Sequence, residues 1–227
     1  MDYQFDFSFL STHWQALLQG LISTLRMSVS TIVLGFIVGT ALAVARTQGA
    51  PWMRRAVTIY VDVIRNTPLV IQAFWLFFGL ATLQFKVPAL TAAVIALTIN
   101  VSAYTTEIMR AGIESIPRGQ IEAASCLGMS RWKLLRLVIL PQAAERMYPA
   151  LISQFVLMML ATSIMSQISV EELTSAGYII QSETFRGFEI YLVVAVLYFL
   201  LSSLLRLSMA ALASVVFVRR RRLKTPL

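Results

Sequence analysis

Side chains able to do chemistry are few in this chain, and where they fall matters more than what they are. There is one histidine, His13, near the N-terminus, and one cysteine, Cys126, so an intrachain disulfide is excluded and no Cys–His catalytic pair is evident. No group of His, Cys, Asp and Glu has metal-ligand spacing, and no G-x-x-x-x-G-K-[ST] loop is present to cradle a phosphate. The chain is therefore expected to be no enzyme, to bind no metal and to hold no cofactor of its own. What stands out instead is a set of polar residues inside apolar sequence. Asn100, Tyr104 and Glu107 recur at i, i+4 and i+7 and share one helical face. Ser163, Ser166 and Gln167 form a second stripe beside Thr162. Asn66, Thr67, Pro68 and Gln72 form a third group, in which Pro68 interrupts the helical ladder.

The elements that carry these groups follow from the charge pattern. Of 227 residues, 58% are hydrophobic and only 13% charged, about half the charge of a soluble domain. Uncharged runs of 19, 20, 20 and 24 residues follow Arg26, Arg65, Lys86 and Arg146, and the 29 residues from Ile190 to Val218 are broken only by Arg206. A helix crossing the hydrocarbon core needs about 20 apolar residues. The fold expected is an all-α membrane protein, a single domain over residues 1–227, with five transmembrane helices at about 21–45, 64–84, 88–109, 147–169 and 189–217. A sixth uncharged stretch, residues 7–25, is too polar for lipid on all sides. Its apolar residues Trp14, Leu17, Leu18, Leu21, Ile22 and Leu25 keep helical spacing, which predicts an interfacial helix at 7–19. The acidic start (Asp2, Asp6) argues against a signal peptide.

Net charge is +8, which could point to nucleic acid, but 15 of the 19 basic residues fall on the segments that are cytoplasmic if the N-terminus is outside. That bias predicts an N-out, C-in orientation, with the run "RRRRLK" at 219–224 against cytoplasmic headgroups. Polar groups within spans face a bundle interior or a water cavity, so the three groups are candidates for a solute path and its gate, or for hydrogen bonds between helices. Glu107 is expected to form a structural ion pair, with Arg110 one turn away and Arg65 at similar depth, in preference to meeting a cationic solute.

One long inner segment, 111–146, separates the third and fourth spans. Pro117 suits a helix start, Gly128 a left-handed helix end and Ser130 the cap of a following helix, so two short helices meeting at a glycine turn are predicted. A helix–turn–helix DNA reader looks similar. Such a module needs its own small core, which about 30 residues strung between two spans do not supply. An odd span count without a repeated half disfavours an ion-coupled secondary transporter.

The segment "EAASCLGMSRWKLLRLVILP" resembles the EAA loop of permease subunits of binding-protein-dependent ABC importers. The pattern falls on Glu122, Ala123, Ala124, Gly128, Val138, Leu140 and Pro141, with valine where the family has isoleucine. The stretches 20–31, 63–80, 99–124 and 185–202 resemble the polar amino acid branch of that family, the histidine, glutamine and arginine type. The resemblance implies a type I importer-like fold in the bacterial inner membrane. It also implies coupling to a separate ATPase through Glu122, Ala123, Ala124, Gly128, Leu140 and Pro141, with ATP and Mg²⁺ on that partner. Further implied partners are an extracytoplasmic solute-binding protein and a second permease, identical or similar; no nucleic acid is implied. Relatives often carry a lysine and then a small polar or acidic residue before the Thr-Ser of the fourth span, where this chain has Leu160 and Ala161, so no relative's specificity transfers.

Overall fold

The structure, a computed structural model, describes residues 4–217, and no strand occurs among them. The basic run at 219–224 lies outside the described residues. Helix α1 is Phe9–Gln48 and α2 is Pro51–Arg65, with proline at a position where no N–H is needed. Helix α3, Leu69–Phe74, continues through a π-helical turn, Trp75–Gly79, into α4, Leu80–Thr82. Then come α5 (Ala89–Glu114), α6 (Arg118–Cys126) and α7 (Arg131–Leu134). A second π-helical turn, Leu135–Ile139, leads into α8 (Leu140–Ala161) and a 3-10 stretch, Thr162–Ile168. Helices α9 (Leu173–Thr184) and α10 (Gly187–Val216) complete the described chain. Among the described residues, four stretches are long and apolar enough to cross a bilayer: Phe9–Gln48, Ala89–Glu114, Trp132–Ile168 and Gly187–Val216. The broken pair Pro51–Arg65 and Leu69–Thr82 makes a fifth if counted as one span.

Three elements differ from the sequence-based expectation. The helix expected at 7–19 and the span expected at 21–45 are one helix, α1. Of the apolar residues at its start, Phe9 and Leu17 join Leu173, Ile180, Ile190, Val194 and Tyr198 in one core, while Trp14, Leu18 and Ile22 stay exposed. Most of the connection between the spans expected at 21–45 and 64–84 is α2, and the break falls at residues 66–68, inside the second of those spans. The Asn66 amide and side chain both donate to the Asp62 carbonyl, at 3.1 and 2.8 Å, and close α2. Pro68 then keeps Thr67 out of the helical region. Finally, the connection expected at 170–188 contains helix α9.

Contacts group the chain into two compact units, each built from separate stretches. The first takes the chain up to Leu34, Thr67–Ile99 and Val156–Leu205; the second takes Gly35–Asn66, Asn100–Phe155 and the chain from Arg206. The core of the first is the Phe9–Tyr198 cluster just named. In the second, Val57 and Val61 of α2 pack on Ala103 of α5, with Leu42 and Ala45 of α1 alongside. A close approach there uses Gly35 and Gly39, a G-x-x-x-G pair on α1. A Cβ on Gly39 would stand 2.6 Å from Thr105 Cβ and 2.8 Å from the Ser102 carbonyl oxygen. Small residues let helices approach this closely in lipid, and the Thr106 hydroxyl donates to the Gly39 carbonyl across the seam at 3.1 Å.

Candidate coupling loop and translocation path

The loop in the second unit is built as its punctuation dictates. Pro117 immediately precedes α6, and the helix ends in a two-bond motif: Met129 N–H donates to the Ala124 carbonyl at 3.2 Å and Gly128 N–H to the Ser125 carbonyl at 3.0 Å. That closure needs a left-handed residue, and Gly128 supplies it at φ 72° without a Cβ penalty. The Ser130 hydroxyl accepts from the Lys133 amide at 3.4 Å, the capping geometry of the next helix. Glu122 and Ala123 are exposed, whereas Ala124 turns inward and is buried against its own chain. The two alanines therefore do different work: one faces out, the other seats the helix. Leu127 and Trp132, 82% and 66% exposed, give the loop an apolar outer face. Leu140 and Pro141 are exposed in the first turn of α8. Pro141 has no N–H to offer the preceding turn, and the wide π-helical turn stands just before it. Arg146 then ties α8 to the end of α5, donating to the Ser115 carbonyl.

The third-span stripe lies in the same unit. Arg46 Nη1 donates to Glu107 Oε2 at 2.6 Å, while Arg110 binds both oxygens of that carboxylate and also pairs with Glu114. Arg65, expected near Glu107, instead lies over the Tyr104 ring, 5.2 Å from its centroid, a cation–π distance. The structure thus brings Tyr104 and Glu107 into a charged cluster, one arginine each from α1 and α2 and one from α5 itself. Asn100 is buried further along the same helix. Arg46 was missed by sequence reasoning because 61 residues separate it from Glu107. The available signal was that both residues end uncharged runs.

The remaining candidates lie in the first unit, apart from Asn66. Gln72 Nε2 donates to the Thr67 hydroxyl oxygen at 2.8 Å and the Thr67 carbonyl at 3.1 Å, bridging the break at exposed Pro68. Helix α3 packs on the 3-10 stretch that holds Thr162, Ser163, Ser166 and Gln167. Thr162 is fully buried and donates to the Met159 carbonyl at 2.6 Å; Ser163 and Ser166 are partly exposed and donate back to Leu160 and Ser163 carbonyls. Such back-bonding satisfies the hydroxyls within the helix and favours the tightened turn. Gln167 is exposed.

One further group was not singled out by the sequence. Glu172, fully buried, caps α9: its Oε1 accepts from the Ser175 amide at 2.9 Å and its Oε2 accepts from the Tyr198 hydroxyl at 2.6 Å. Burial pushes its carboxyl above the ordinary carboxylate range, against the downward pull of the Tyr198 bond. The Leu173 amide donates to Thr24 Oγ1 at 3.2 Å, so the start of α9 is fastened to both α1 and α10.

Comparison with known proteins fits this arrangement. The family described as the binding-protein-dependent transport system inner membrane component matches residues 31–217. The glutamine transport system permease protein of Escherichia coli K12 is 37% identical over 204 residues, covering 89% of this chain and 93% of that protein. The octopine transport system permease protein of Rhizobium radiobacter is 34% identical over 207 residues, covering 87% and 84%. A crystal structure described as an amino acid ABC transporter with histidines is 36% identical and superposes with a TM-score of 0.86, covering 96% of this chain and all of that one. This chain belongs to the family of binding-protein-dependent transport system inner membrane components.

Proposed function

We propose that the chain is the membrane-spanning permease subunit of an ATP-driven ABC importer for amino acids or related small polar solutes, a multi-pass protein of the bacterial inner membrane. The observation that carries this reading is the likeness, over nearly the whole chain, to the solved amino acid ABC transporter. Five spans run N-out and C-in, the broken pair around Pro68 counting as the second. Helix α6 is then cytoplasmic and docks on a separate ATPase, which holds the ATP and Mg²⁺. Exposed Glu122 offers a carboxylate to a basic partner residue, and Ala123 allows close approach of a groove. Ala124 and the Gly128 closure keep the helix rigid on its own chain, and Leu140 and Pro141 pass its displacement into α8.

The solute path runs along the faces that carry Asn66, Thr67, Pro68, Gln72, Asn100, Tyr104, Thr162, Ser163, Ser166 and Gln167. Glu107, neutralised by Arg46 and Arg110, braces the helices beside that path. A second permease, identical or similar, completes the path, and an extracytoplasmic binding protein delivers the solute. The test is co-purification of this chain with candidate ATPase subunits, followed by ATPase assays with and without loaded binding protein. Stimulation by the loaded binding protein is the expected result. Failure to hold any ATPase, together with DNA binding by the intact protein, would replace this function with a membrane-anchored regulator.

A further inference from the structure

Arg26 is a cation on an apolar helix, and among the described residues no side-chain partner meets its guanidinium. It stands in a polar stripe on one face of α1: Gln19, Ser23, Arg26 and Ser30 follow each other at i, i+4, i+7 and i+11. This stripe forms one wall of a groove of about 520 Å³, whose other wall includes Leu90 and Val94 of α5. Ile22 and Met27 of α1 line it as well, so the groove is mostly apolar with its polar groups confined to the α1 side. It holds one formal charge, which is positive.

Depth decides what such a groove suits. Nineteen residues of α1 lie between Arg26 and Arg46, which makes twenty helical steps and a rise of about 30 Å, matching the thickness of the hydrocarbon core. If Arg46 lies at one membrane face, Arg26 lies at the headgroup layer of the other. Gln19 then sits roughly 10 Å further toward water and Ser30 about 6 Å deeper, toward the acyl chains. A phosphate at that layer gives Arg26 the anionic oxygens it lacks, in the forked geometry a guanidinium favours. Leu90 and Val94 give an acyl chain an apolar wall.

We propose that the groove between α1 and α5 is a phospholipid site in which Arg26 holds the headgroup phosphate. The inference uses the membrane-spanning character of α1 and is otherwise independent of which solute is transported. With the N-terminus outside, the lipid belongs to the outer leaflet.

The test is native mass spectrometry of the full chain in its purified complex. The protein is delipidated and titrated with phosphatidylglycerol or with diacylglycerol, which lacks the phosphate. One phosphatidylglycerol per copy, and no retained diacylglycerol, is expected for the native protein. Arg26→Gln should weaken retention by about tenfold, Arg26→Lys by less, because the charge remains. Leu90→Trp, which leaves Arg26 in place and fills the apolar wall, should also lower retention. Equal retention by native protein and Arg26→Gln would overturn the proposal. So would a free amino acid displacing the lipid from the native protein, which would make the groove a solute site. Efficient disulfide formation between the thiol introduced by Arg26→Cys and a cysteine on a second permease would likewise overturn it, by making the groove a subunit interface. None of these outcomes depends on ATPase coupling, so the lipid site and the importer function stand or fall separately.

Discussion

Glu107→Gln offers the most quantitative test of how the second unit is held together. The carboxylate accepts from Arg46 at 2.6 Å and from Arg110 through both oxygens, and the three side chains are 21%, 17% and 26% exposed. Hydrogen bonds to charged groups contribute about 1.5–3 kcal/mol and neutral ones about 1. Glutamine keeps one acceptor but loses the charge facing two guanidinium groups. Losing about 1 kcal/mol at each arginine gives roughly 2 kcal/mol, between the values for exposed and fully buried pairs. For a chain of this length that corresponds to roughly 4–8 °C in unfolding temperature. The assay is thermal unfolding in detergent, alongside the yield of assembled complex, for Glu107→Gln, Arg46→Gln and the double variant. The double should be less destabilised than the sum of the singles by about 1 kcal/mol, because both remove one interaction. An unchanged unfolding temperature with selective loss of cationic amino acid uptake would refute the bracing role and place Glu107 on the solute.

Three further outcomes follow from the geometry. Ala123→Trp should leave the unfolding temperature unchanged while abolishing stimulated ATPase activity, since Ala123 is exposed; Ala124→Trp should lower stability by about 1–3 kcal/mol through overpacking of a buried position. Gly128→Ala, at φ 72°, should destabilise the loop by about 1–2 kcal/mol, measurable as faster proteolysis between α6 and α7. For Glu172 the raised carboxyl sets the sign of a pH effect. The protonated form is favoured in the fold, so its contribution is complete below the unfolded value near 4.5 and is lost as pH rises through the higher folded value. Unfolding temperature should therefore fall across that range in the native protein and stay flatter in Glu172→Gln.

Features written in local chemistry were legible in the sequence. The Pro117, Gly128 and Ser130 signals yielded α6, the left-handed turn and α7 because each acts within four residues of itself. The uncharged runs after Arg26, Lys86 and Arg146 and the run from Ile190 fall on the four long apolar helices, whereas the run after Arg65 falls on the broken one. Features set by partners distant in sequence were not legible. The amphipathic start of α1 has the pattern of a helix on a lipid surface, and the pattern does not say that Phe9 and Leu17 turn to Leu173, Ile180 and Ile190 while Trp14, Leu18 and Ile22 stay exposed. By sequence Arg110 and Arg65 are the partners expected for Glu107; packing keeps Arg110, adds Arg46 from α1 and leaves Arg65 to Tyr104. The inward turn of Ala124 beside outward Ala123 depends on how α6 rests on its own loop, which the Glu-Ala-Ala pattern does not encode. The Gly35–Gly39 pair was not singled out by the sequence, since its close approach to Val101 and Thr105 is set by a partner more than 60 residues away.

In the proposed function, ATP hydrolysed on a partner moves solute through this chain by way of α6. The most direct measurement is amino acid uptake into proteoliposomes holding the complete complex and loaded binding protein. Uptake that requires ATP, ignores imposed ion gradients, and is lost in Ala123→Trp while the ATPase stays bound is the predicted result. Uptake at full rate without ATP, driven by an ion gradient through this chain alone, would contradict it.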